Sequence, residues 1–204
     1  MNSSVQHRSG RGRWFAAAIV LATCLAVATN GLAAWNVEQS VEIPSYAVTE
    51  PTTTNLNIDT VVLMCEAADS GNILQLQIYL STDGPLRPND VPPERLKDDP
   101  RAEISIDDQS FAVSLLFSDE YVVLADAQQG RVPELSDRLL DAMRAGKRMI
   151  LRFDLAAERP GEPAAFDGEA VIELGPGGAA AVSAVRRCAD PPAPRAGGMA
   201  FARP

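Results

Sequence analysis

The side chains best suited to chemistry in this chain are two cysteines, Cys65 and Cys188, and a scatter of paired carboxylates. The only histidine, His7, lies at the extreme start, within a segment expected to be removed. Without it, Ser–His–Asp and Cys–His catalysis and histidine metal sites are closed. No S-x-x-K follows residue 34, and the only lysines are Lys97 and Lys147. Carboxylates are left as the acid/base pair: Asp98-Asp99, Asp107-Asp108, Asp119-Glu120 and Asp126. Glycoside hydrolysis would need two of them across a cleft, one with its pKa raised by burial. Most fall at expected hairpin tips, where they read as turn formers and solubilising charge. No metal ligand set or cofactor motif is found, and none is expected. The glycines of "GPGG", Gly175 to Gly178, read as a strand-to-helix turn rather than an anion site.

The compartment of any chemistry is set by the start of the chain. Arg8, Arg11 and Arg13 precede the apolar run "WFAAAIVLATCLAVATNGLAA", which ends in small residues. A basic start, an apolar middle and a small-residue exit describe a secretory signal peptide over residues 1–34, cut after Ala33 or Ala34. Two rivals remain: an inner-membrane anchor formed by residues 15–34, long enough as a helix to span a bilayer, and a lipoprotein attached at Cys24. The expected destination is the periplasm or beyond.

Removal of the leader takes away Cys24 and His7 and leaves two cysteines in an oxidising compartment, which read as one disulfide, Cys65–Cys188. Two buried free thiols are the alternative. The whole chain carries 18 Lys+Arg against 27 Asp+Glu; without the three leader arginines the balance is 15 against 27, a net charge of −12. That sign argues against nucleic acid and anionic membrane surfaces as partners.

The elements that would position these groups follow from periodicity. Residues 35–57 read as an extended lead-in with at most one edge strand. Residues 58–189 read as a single β-rich domain and 190–204 as a disordered Pro/Gly/Ala-rich tail. Within the domain, "VVLMCEA" and "ILQLQIYLS" form a hairpin, the second alternating Leu74, Leu76, Ile78 and Leu80 against Gln75, Gln77 and Tyr79. "AEISI", "SFAVSLLF" and "YVVLAD" continue as a meander. "VPELSDRLLDAMRAGK" has helical rhythm, with Pro133 in its first turn and Gly146 at its stop. "RMILRFDL" and "EAVIEL" are the last strands, and "PGGAAAVSAVRRC" is a short helix delivering Cys188. The expected fold is α+β: a mostly antiparallel β-sandwich or open barrel of about seven strands, with one packed helix and a short C-terminal helix.

Residues 82–100, with five prolines and no apolar rhythm, read as a long surface loop of the kind that often carries function. Its Arg87, Arg95 and Lys97, with Tyr79 and Trp35 as exposed aromatic anchors, are the candidate partner-binding residues. The mature-start tryptophan, the β-rich body and the closing stretches "LSDRLLDAMRAGKRMILRF" and "FDGEAVIELGPGGAAAVSAVRRC" resemble small exported proteins of the invasion-associated locus B type. That resemblance implies an envelope-located, non-enzymatic accessory or host-interaction role and transfers no catalytic residue. The expected function is an exported, non-catalytic protein that binds an envelope or extracellular protein, in an accessory, host-interaction or inhibitor role. The alternative is a carboxylate-dependent hydrolase acting on envelope glycans.

Overall fold

The computed structural model describes residues 35–38, 46–68, 71–118, 120–158, 161 and 163–189. The expected leader, the expected tail and Asp119 lie outside the described residues. The strands are β1 (Asn36–Glu38), β2 (Tyr46–Thr49), β3 (Thr53–Thr54), β4 (Ile58–Ala68), β5 (Gly71–Leu80), β6 (Leu96–Ile106), β7 (Gln109–Phe117), β8 (Tyr121–Ala125), β9 (Ala127–Gln129), β10 (Val132–Glu134), β11 (Arg148–Ala156) and β12 (Gly168–Glu173). The helices are α1 (Asp137–Ala145) and α2 (Gly175–Ala189).

Ten strands join in one antiparallel sheet, in the order β1-β2-β4-β5-β8-β7-β6-β11-β12-β3, and β9 and β10 form a separate hairpin. Connectivity forces this sheet to curl. β3 lies at one edge and β4 third from the other, seven strand spacings away, which in a flat sheet is about 34 Å. Yet only Asn55, Leu56 and Asn57 separate Thr54 from Ile58, a reach of at most about 14 Å. The sheet therefore wraps until its edges approach. Trp35, beside edge strand β1, bridges them by donating its Nε1–H to the carbonyl of Glu173 at the end of β12, at 3.1 Å.

Alternation decides what fills the curl. Val61, Leu63 and Cys65 of β4, Leu76 and Ile78 of β5, Ile104 of β6, Leu124 of β8 and Leu151 and Phe153 of β11 are fully buried inside it. Each such side chain stabilises the fold by roughly 1.5–3 kcal/mol relative to exposure. α1 adds Leu139, Leu140 and Met143 from one side of the helix to the same core. It begins at Ser136, whose hydroxyl accepts from Leu139 N–H at 3.2 Å. It ends at Gly146, where a Cβ would lie 2.4 Å from the Ile106 side chain. α2 buries Ala181, Val182 and Val185 and carries Cys188, which is disulfide-bonded to Cys65 with Cα atoms 6.4 Å apart.

The α+β class, the antiparallel pairing, the hairpin, the meander and both helices match the sequence-based expectations; the strand count does not. The lead-in contains three short strands, β1 to β3, because extended polar segments such as "TTT" find ladder partners on β12 and β4 without any apolar alternation to announce them. The loop expected over 82–100 ends early, since β6 begins at Leu96. Val132–Glu134, expected as the first helical turn, is strand β10, and Pro133 accepts a hydrogen bond from Gln75 Nε2 at 2.8 Å through its carbonyl. Among the described residues no helix is long and apolar enough to cross a membrane.

Candidate functional site

At the end of the sheet away from the helices, the ladder forks. β7 pairs with β6 only from Gln109 to Val113, and with β8 only from Ser114 to Phe117. It thus crosses from one half of the sheet to the other, and beyond Ala102 and Val113 the two strands part. The free stretch of β6, Leu96 to Arg101, pairs on its other side with β11, where the register breaks. Arg101 faces Asp154 and Leu96 faces Ala156, leaving Lys97 to Pro100 opposite Leu155 alone. Pro100 is tolerated in a strand here because its missing N–H falls in an interrupted ladder.

The space between the lips is an open cleft of about 500 Å³ lined by residues 99–103 of β6, residues 112–115 of β7 and Phe166. A smaller, mainly apolar pocket of about 240 Å³ adjoins it, lined among others by Leu86, Leu96, Pro100, Phe117 and Leu155. Among the described residues four large apolar side chains are exposed, and two are here: Phe166 (47 %) on the cleft and Phe117 (54 %) on the adjoining pocket, while Leu116 points to the other face of β7, over Ala125 to Gln128. No other aromatic among those residues is exposed to this degree.

The β6 lip is held open by an ion cluster. Asp154 points outward from β11 yet is only 1 % exposed. One carboxylate oxygen meets the Lys97 ammonium; the other accepts from Arg101 Nε at 2.9 Å and from its Nη2. Lys97 also donates to Glu158 at 2.7 Å. Burial alone would raise the Asp154 carboxyl, but hydrogen bonds and charge from Lys97 and Arg101 hold it below its ordinary value. Hydrogen bonding from Lys97 likewise lowers Glu158. On Lys97, burial works downward and is outweighed by its two carboxylate partners, which raise it. Two carboxylates depressed by shared cations cannot serve as a proton donor near neutrality.

The other candidate acids hold up the architecture. Asp126 accepts from Ser136 N–H at 2.7 Å and from its hydroxyl at 2.5 Å, orienting the α1 cap. Asp107, at φ 48°, accepts from the amides of Lys147 and Arg148. Asp98, Asp99 and Glu120 are exposed around the fork, where their solvation is unhindered. Among the described residues no group of three His, Cys, Asp or Glu side chains is placed to hold a metal ion.

The five expected contact residues separate. Lys97 belongs to the ion cluster, and Arg95 is exposed at the turn just before the β6 lip. Arg87 is half-buried, its guanidinium donating to the Val91 carbonyl at 3.2 Å within its own loop. Tyr79 is half-buried on the outer wall, 5.4 Å from Tyr121 between ring centroids, with its hydroxyl donating to Gln77 at 3.2 Å. The expectation of an exposed Trp35 is corrected: it is 7 % exposed, because α2 packs on it through Gly178. Phe166, on the cleft, and Phe117, on the adjoining apolar pocket, were not singled out from the sequence as contact residues. The signal available for Phe117 was an inward-register aromatic at the end of a strand, next to the polar turn "SDE"; for Phe166 there was none. Compared with family models, with curated proteins and with solved structures, the chain matches none.

Proposed function

We propose that this chain is an exported, non-catalytic protein that binds another macromolecule of the cell envelope or its surroundings. The observation that carries this reading is the exposure of Phe117 and Phe166 on adjoining pockets at a fork in the sheet, beside an ion cluster. Apolar side chains kept in water at one place, Phe117 on a strand and Phe166 on the segment leading into β12, suit recognition. Asp107, Asp126 and Asp154 are each engaged in holding the architecture, which weighs against the glycan-hydrolase alternative for those three acids. Export is supported by the leader pattern, by the Cys65–Cys188 disulfide and by the net charge. The resemblance to invasion-associated locus B-type proteins points the same way.

The test is affinity capture from a bacterial envelope fraction on immobilised protein purified under oxidising conditions, followed by gel filtration of any candidate complex. The expected result is a stoichiometric complex that survives chromatography and is lost with Phe117→Ser. Release of reducing sugars from peptidoglycan or other envelope glycans, abolished by Asp154→Asn, would overturn the reading in favour of hydrolysis.

A further inference from the structure

The fork differs from an ordinary hydrophobic patch in having two strand edges as its walls. We infer that it is a β-augmentation site, which takes an extended peptide with alternating apolar residues and a basic flank as an added strand along Ser114–Phe117 of β7. This rests on the binding reading above and names the partner's chemistry.

The backbone argument comes first. A strand offers N–H and C=O groups alternately to both sides, and those left without a ladder partner form a template for another chain. β7 changes partner in mid-strand, so from Ser114 to Phe117 the side turned away from β8 has no strand against it among the described residues. Across the cleft, β6 from Leu96 to Arg101 is likewise not paired to β7. The outermost strands of the sheet, β1 and β3, are only three and two residues long, short enough to blunt pairing at those edges. The fork keeps a four-residue edge on β7 and a six-residue stretch on β6. The cleft of about 500 Å³ between the lips gives an incoming segment room.

Side chains then set the occupant. One face of an added strand would lie over Leu96, Pro100, Phe117 and Leu155 in the apolar pocket, so that its alternate residues should be apolar. The rim is acidic on balance: Asp98, Asp99 and Glu120 are exposed around it, with Arg95 the exposed cation at its end. The cations nearest the cleft are committed, Lys97 to Asp154 and Glu158 and Arg101 to Asp154. A net acidic rim around an apolar slot favours a peptide flanked by Lys or Arg over one flanked by Glu or Asp. The ion cluster completes the device. By tying both lip cations to β11, it keeps β6 from closing on β7 and filling the slot with the protein's own strand.

The test uses a fluorescein-labelled peptide KVTVTVK, with EVTVTVE and KVTPTVK as controls, against protein purified from the periplasm of an expression host. Fluorescence anisotropy should give saturable binding for KVTVTVK, weakened by added salt. Binding should be weaker for EVTVTVE and lost for KVTPTVK, whose proline removes a ladder donor. Phe117→Ser, a substitution at an exposed position that leaves the thermal transition in place, should weaken binding by about tenfold. Hydrogen exchange should show new protection at residues 114–117 on peptide addition. No saturable binding, indifference to the sign of the flanking charge, or protection confined to other strands would overturn the assignment. The two readings fail separately. An envelope partner held equally well by Phe117→Ser protein removes the fork but leaves a binding protein; peptide captured in the fork with no envelope partner removes the envelope role alone.

Discussion

Asp154 shows how one side chain can organise a surface. Its neighbours along β11, Phe153 and Leu155, face the core, while Asp154 faces outward into a shell made by Lys97, Arg101 and Glu158. Removing the carboxylate strands two cations, though both can turn partly to water, so the cost is smaller than for a sealed pair. Asp154→Asn should lower stability by about 1–3 kcal/mol, measurable by urea denaturation. The pH dependence follows from the direction of the shift. A carboxyl whose folded pKa lies below its ordinary value of 3.8 stabilises the fold above that value, and the contribution is lost as pH falls through the folded pKa. Wild-type protein should therefore lose stability on acidification below about pH 4 more steeply than the Asn variant; parallel acid curves would show that the pair contributes nothing. None of this was legible at Asp154 itself, which occupies a strand position read as solvent-facing. Lys97 was singled out for its rarity, and its acidic partners stand 57 and 61 residues further along the chain.

The helices act as a plug tied to the sheet at three points. α2 is bonded to β4 through Cys65–Cys188, and Asn72 of β5 donates to the Cys188 carbonyl at 2.8 Å. Trp35 joins the turn between β12 and α2 to the β1 edge. The disulfide closes a loop of sequence separation 123, for which chain entropy assigns about 5 kcal/mol as an upper figure. Reduction should lower the melting temperature markedly, and an unchanged transition in reductant would remove that role. Trp35→Ala should cost about 3–5 kcal/mol through the lost indole volume and an orphaned carbonyl at Glu173; Trp35→Phe should recover part of the packing and none of the hydrogen bond. Elements of this kind were readable because their periodicity and capping are local. Leu139, Leu140 and Met143 announce α1 and Gly146 its stop, whereas the start was read at Pro133 and the cap is Ser136. β3 and the Leu96–Pro100 stretch were not readable: a two-residue strand has no period, and "KDDP" runs extended because Leu96 and Arg101 on either side of it pair with β11 and Lys97 meets Asp154, all far along the chain.

At the scale of the whole molecule, a curled sheet with short edges ought to expose little pairing capacity, and the exception is the fork. Its two lips lack a neighbour on the cleft side: residues 114–117 pair only with β8, and on β6 only Leu96 and Arg101 meet β11, whereas residues 61–64 of β4 are paired on both sides, to β2 and β5. In an antiparallel strand, amides alternate between neighbours. Roughly every second N–H in the lips should then exchange through local fluctuation, while those of β4 and β5 wait for much larger openings. Native-state hydrogen exchange should show an alternating fast–slow pattern across 114–117 and uniformly slow exchange across 61–64 and 76–78. Asp154→Asn, which loosens the β6 lip from β11, should speed exchange at 96–101 and leave 61–64 at wild-type rates. Uniformly slow amides throughout 114–117 in the free protein would mean that β7 already has a second partner there, and the fork would then be closed rather than waiting for one.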